Sequence, residues 1–148
     1  MNFKDIYSQV ILEHYHYSPH KGVLENAHAQ SGVHNPSCGD SVSIQILFQK
    51  SMHKSTQHSA GDDTIMSAKF QAQGCVISGA AASLLLEKII GMSIDVCMNL
   101  DRESMLEVIK IPLGPTRLRC ALLALEAVHK ALGDYVHAQK KVQERVQE

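Results

Sequence analysis

The sequence predicts an α+β domain, a small three-stranded antiparallel sheet with helices packed on one face, and three observations lead there. Two stretches alternate apolar and polar residues with the period of a half-buried strand, and a polar loop joins them. Segments with helical spacing lie before and after that pair. Capping residues and glycines punctuate the helical segments where their pattern breaks.

Taken in order, the first helix starts near Asn2, its expected N-cap, and ends before Pro19 and Gly22, with Phe3, Ile6, Tyr7, Val10, His14 and Tyr17 on one face. His14 and His16 stand two apart and face different ways, so His14 is expected to support local packing rather than a metal. Ala27 to Val33 reads as the first strand. In the second, Val42, Ile44, Ile46 and Phe48 alternate with Ser41, Ser43, Gln45 and Leu47. In the third, Met66, Ala68, Phe70 and Ala72 alternate with Ser67, Lys69, Gln71 and Gln73. Lys50 to Asp63, rich in Ser, His, Thr and Asp, reads as a long hairpin loop that leaves His53 and His58 in solvent.

A second helix is expected from about Ser78 to Ile90, where Ala80, Ala81 and Ala82 permit close packing and Gly91 supplies the stop. Ser93 and Asp101 are expected to cap two shorter helices, and Thr116, after Pro115, to cap the last long one. That helix carries Leu118, Leu122, Leu125, Val128 and Leu132 toward the core, while Ala124, Ala127 and Ala131 follow Cys120 on a neighbouring face. The chain reads as a single domain over 1–148, with 139–148 a solvated or fraying tail.

Composition narrows the function. With 14 Lys and Arg against 15 Asp and Glu, the net charge of -1 gives no electrostatic reason for nucleic-acid or membrane-surface binding. The start lacks the basic and apolar segments of a signal peptide, and no apolar run approaches the ~20 residues that span a bilayer. A cytoplasmic location is expected, where thiols stay reduced and four cysteines serve as ligands, sulfur carriers or core residues rather than disulfides.

Three of those cysteines, Cys38, Cys75 and Cys120, each sit at the start of a different element. Asn35-Pro36 and Gly39 mark a turn, and in a chain entering a strand the Cys38 thiol and the Asp40 carboxylate, two residues apart, can face one cation. Cys75 follows Gly74 just before the alanine-rich helix, where the helix dipole favours a thiolate. Arg117 and Arg119 place two positive charges near Cys120. Cys38, Asp40, Cys75 and Cys120 together suit tetrahedral zinc or a small iron-sulfur cluster. The carboxylate, harder than a thiolate, should make such a site labile. Taken singly, each cysteine reads first as a core residue and Asp40 first as a turn cap, and Cys97, between Val96 and Met98, is read as core alone.

Asn35-Pro36-Ser37-Cys38-Gly39-Asp40, Gly74-Cys75-Val76-Ile77-Ser78 and Arg117-Leu118-Arg119-Cys120 resemble the three cysteine motifs of the IscU/SufU/NifU-N family. Tyr7, Val10, His14, Tyr15 and the Pro19 to Gly22 turn resemble its opening segment, and the similarity runs from about Phe3 to Leu132. The resemblance implies an iron-sulfur cluster assembly scaffold, a carrier rather than an enzyme. Such a scaffold takes persulfide sulfur from a cysteine desulfurase, assembles a labile [2Fe-2S] cluster with Fe(II), and passes it to apo-proteins or carriers. It implies Cys38, Asp40, Cys75 and Cys120 as ligands of the cluster, or of Zn2+ in the resting protein, and Cys120 or Cys38 as persulfide acceptor.

The chain departs from both branches of that family. IscU-type members usually have His where Arg119 stands, and their Leu-Pro-Pro-Val-Lys segment appears here as Leu113-Gly114-Pro115-Thr116-Arg117, which argues against recognition by the dedicated Hsp70-type chaperone. A basic residue before the last cysteine is similar to SufU-type proteins, zinc-dependent sulfurtransferase partners that activate a desulfurase. Their usual insertion does not fit the 44 residues between Cys75 and Cys120. A structural zinc domain without transfer chemistry is the third alternative, distinguished by a closed metal site.

Overall fold

The computed structural model describes residues 3–37, 39–51 and 59–146, with side chains from residue 8 onward in the first helix. Helix α1 (Phe3–Tyr17) precedes strands β1 (Ala29–Asn35), β2 (Asp40–Gln49) and β3 (Thr64–Gln73), which are followed by helices α2 (Val76–Ile89), α3 (Ile94–Met98), α4 (Arg102–Ile109) and α5 (Pro115–Val146). The strands form one antiparallel sheet in the order β1-β2-β3, and α2 and α5 pack against it and each other. Among the described residues, no helix is long and apolar enough to cross a membrane.

Alternation decides which face of the sheet is covered. Val42, Ile44, Ile46 and Phe48 are buried on β2, while Ser43 and Gln49 stand outside. Burying side chains the size of Ile44 or Ile46 is worth about 1.5–3 kcal/mol each, which fixes the register, since a one-residue slip would expose the whole set. A bulge between Leu47 and Phe48 shifts the β2–β3 pairing, so that Ile65 on β3 still turns inward. The small Ala80, Ala81 and Ala82 of α2 and Ala121, Ala124, Ala127 and Ala131 of α5 are buried, which lets the two helices approach closely.

Several boundaries differ from the sequence expectation, each for a physical reason. β1 lies at Ala29–Asn35 rather than Ala27 to Val33, because Ala29 pairs with Ile46 and Asn26 takes a left-handed φ of 62° in the preceding turn. Helix α2 begins at Val76 with Cys75 as N-cap, two residues before the expected Ser78. Pro115, not Thr116, opens α5: proline lacks an N–H and has its φ preset, which suits the first helical position, and Leu118 N–H bonds the Gly114 carbonyl. On α1, Ile11 is the buried residue and Tyr17 is 83% exposed, while the expected inward positions Phe3, Ile6 and Tyr7 lie outside the described side chains. The Ser93 and Asp101 caps are present, the latter in a capping box with Ser104. In the expected hairpin loop, residues 52–58, including His53 and His58, lie outside the described residues, and Ala60–Asp62 forms a 3-10 turn. The final helix continues to Val146, its last turns exposed.

Candidate metal centre

Three elements meet at one end of the sheet. Asp40, the first residue of β2, pairs with Asn35 across the β1–β2 turn and is 2% exposed. Cys75 caps α2 and is half-buried, and Cys120 enters from the second turn of α5, fully enclosed. One carboxylate oxygen of Asp40 and the sulfurs of Cys75 and Cys120 all lie within 4.8 Å of one another.

The backbone at Gly74 makes this convergence possible. It takes a φ of +125°, and a Cβ there would overlap the Asp40 carboxylate, so only glycine lets the carboxylate lie across the β3–α2 turn. Cys75 makes no side-chain cap of its own. Asp40 supplies it from the sheet: the Cys75 N–H donates to Asp40 Oδ1 at 3.1 Å and the Ser78 hydroxyl donates to Oδ2 at 2.9 Å. The Cys75 sulfur lies 3.6 Å from Asp40 Oδ2 and 3.6 Å from Ser78 Oγ. Asp40 is therefore a cap, as its residue type alone allows, but of a helix that begins 36 positions later rather than of its own turn.

The two thiols differ in acidity. Burial pushes Cys75 up, but its contacts with the Ser78 hydroxyl and N–H and with Cys120 outweigh it and hold the thiol below its ordinary range. Cys120 is pushed far above that range, first by burial and then by its hydrogen bonds to Asp40 and Cys75. Of the two arginines expected to favour a charged Cys120, Arg117 does so, though less than it favours a charged Cys75. Arg117, exposed in the first turn of α5, has its guanidinium charge favoured chiefly by a hydrogen bond to Cys75. Arg119 lines a cleft of about 290 Å³ with His34, Asn35, Pro36, Leu122, Leu123 and Glu126.

The extended Cys38-Gly39-Asp40 reading is corrected as well. Gly39 takes a left-handed φ of 74° inside a turn closed by its N–H to the Asn35 carbonyl, so strand alternation does not carry across it. Cys38 itself lies outside the described residues; Ser37 and Gly39 on either side of it are exposed. Cys97 stands apart from the cluster in the core, as expected, its thiol pushed up to about 12 by burial. His14 also packs locally: Nδ1 lies 2.7 Å from the Ser83 hydroxyl and Nε2 3.5 Å from Glu87.

Chemically, two sulfurs and a carboxylate around one point, with one sulfur half-open to solvent, fit zinc or iron, the metals that soft thiolates select. The sequence reading missed Ser78 and the Gly74 clearance. Ser78 was findable, since it stands at the third helical position, where side chains reach back to the cap. The Gly74–Asp40 approach was not, because it joins the start of β2 to the turn that follows β3.

Residues 6–142 match the model of the NifU-like N terminal domain family. The chain is 30% identical over 138 residues to an iron-sulfur cluster assembly scaffold protein IscU of Aquifex aeolicus, covering 93% of this chain and 81% of that protein. It is 27% identical over 151 residues to the zinc-dependent sulfurtransferase SufU of Bacillus subtilis, covering 88% of this chain and 92% of that one. Among solved structures, a candidate iron-sulfur cluster assembly scaffold for the SUF system from Fervidobacterium islandicum superposes with a TM-score of 0.65 at 27% identity, covering 88% of this chain and 99% of that one.

Proposed function

The chain belongs to the NifU-like N terminal domain family, and from that premise we propose that it is an iron-sulfur cluster assembly scaffold built around Asp40, Cys75 and Cys120, with Cys38 as the fourth ligand. The observation that carries this reading is the convergence of a carboxylate and two sulfurs within 4.8 Å from three separate elements. The cargo is a [2Fe-2S] cluster assembled from two Fe(II) and two persulfide sulfurs. Reduction of those sulfurs to sulfide takes two electrons from the irons and two from an external thiol reductant that is oxidised to disulfide. A Zn2+ ion bound between cargoes would keep the thiolates ionised.

Sulfur arrives as the persulfide of a cysteine desulfurase. The acceptor thiolate attacks the outer sulfur, a new S–S bond forms, the desulfurase S–S bond breaks, and its thiolate leaves, so the transfer is redox-neutral. Cys38 is our first acceptor, since both neighbours are exposed, while Cys120 is 1% exposed and burial pushes its thiol above the ordinary range; Cys120 is the second. Apo-proteins or cluster carriers are the recipients. The chain acts as a carrier, not a turnover enzyme, in a cytoplasm that keeps its thiols reduced.

Anaerobic, metal-depleted protein mixed with Fe(II), cysteine and catalytic desulfurase is expected to develop a [2Fe-2S] chromophore that is lost on Cys38→Ser, Cys75→Ser or Cys120→Ser. Arg119, standing where IscU-type members carry His, favours a second reading: a SufU-type zinc-dependent sulfurtransferase that activates the desulfurase. Absence of a cluster, together with faster desulfurase turnover and persulfide on the zinc-loaded protein, would support that reading instead.

A further inference from the structure

Resting on the metal-centre reading, we infer that Ser78 is a positioning residue that keeps the site exchangeable by holding a hydrogen bond on the Asp40 oxygen that faces the thiols. Ser78 is fully buried, and its hydroxyl donates to Asp40 Oδ2 at 2.9 Å. Oδ2 is also the oxygen 3.6 Å from the Cys75 sulfur, so it is the donor a metal between the sulfurs would take. A hydrogen bond on that oxygen draws electron density away from the same atom and competes with a cation for it.

Partners behind a metal ligand usually orient it, and losing one typically costs about 10–100-fold in affinity. Here orientation has separate support. The Cys75 N–H pins Oδ1 at 3.1 Å, and Gly74 provides the space in which the carboxylate lies, so neither depends on Ser78. Removing the hydroxyl leaves Asp40 in place as a stronger donor. Ser78 thereby makes Asp40 the weakest link of a thiolate-rich site, the property a centre that must give up its cargo requires.

The test follows zinc release from the loaded 148-residue chain to a colorimetric chelator, with unfolding of each metal-free variant as the folding control. Ser78→Ala is expected to release zinc about tenfold more slowly, the effect of one charge-assisted hydrogen bond, and Ser78→Thr to restore the wild-type rate. Ser78→Val and Ser78→Thr have nearly the same shape and differ in the hydroxyl, so this pair gives the same contrast should Ser78→Ala not fold. In an Asp40→Ala background the slowing by Ser78→Ala should disappear, since only the Ser78 contact with the Cys75 sulfur at 3.6 Å then remains to be lost. Equal or faster release from Ser78→Ala, or the same slowing without Asp40, overturns the inference and leaves the metal centre standing. A folded wild-type chain that takes up no zinc overturns both.

Discussion

Asp40 serves two structures with one carboxylate. Its oxygens accept the Cys75 N–H and the Ser78 hydroxyl, closing the N-terminus of α2, while one of them faces the sulfurs of Cys75 and Cys120. Asp40→Ala removes both uses. We expect the metal-free variant to lose about 1–3 kcal/mol of stability, since two buried donors are left without their acceptor, and zinc to bind at least about tenfold more weakly. Denaturant unfolding and a competitive chelator titration measure the two effects; an unchanged unfolding midpoint would refute the capping role. Asp40 was legible as a candidate ligand from its place in the Cys38 motif. Its cap was not, because the helix it closes starts on the far side of two strands.

At the scale of elements, the last helix is tied to the sheet by polar contacts as well as by its alanine face. The Ser31 hydroxyl on β1 bonds the Ala127 carbonyl, and the Tyr135 hydroxyl donates to the buried Asp63 at 2.9 Å, with the Ser51 N–H on the other carboxylate oxygen. Burial, then the bond to Asp63, pushes the Tyr135 hydroxyl up to about 12. The folded pKa is raised above the unfolded value near 10, so this contribution is fully present below pH ~10 and lost as pH rises through ~12. Tyr135→Phe is expected to cost about 1–3 kcal/mol at neutral pH and to flatten the alkaline fall in stability. Urea unfolding at pH 7.5 and at high pH checks this, and parallel pH profiles for the two proteins would contradict it. The strands were legible because Val42 to Phe48 alternate so regularly. The Asp63–Tyr135 tie was hidden, since an acidic residue at a loop end ordinarily reads as solvated.

For the molecule as a whole, the sequence showed which elements form and singled out Asp40, Cys75 and Cys120, which the fold brings together, because periodicity and caps are local and Cys75 and Cys120 each stand at the beginning of a helix. What it left open is geometric: that Gly39 turns the chain out of its strand, that Gly74 admits a carboxylate, and that the Arg117 charge is favoured first by Cys75 rather than by Cys120. These depend on how α2 and α5 seat on the sheet, which no single segment encodes. The central claim is that Asp40, Cys75 and Cys120, brought together from three elements, hold one metal with Cys38. X-ray absorption at the zinc edge of the loaded protein tests it most directly. We expect three sulfurs at about 2.3 Å and one oxygen at about 2.0–2.2 Å. One sulfur should be lost in each of Cys38→Ser, Cys75→Ser and Cys120→Ser. A shell of oxygen and nitrogen alone, or a shell unchanged by Cys75→Ser or Cys120→Ser, would contradict it.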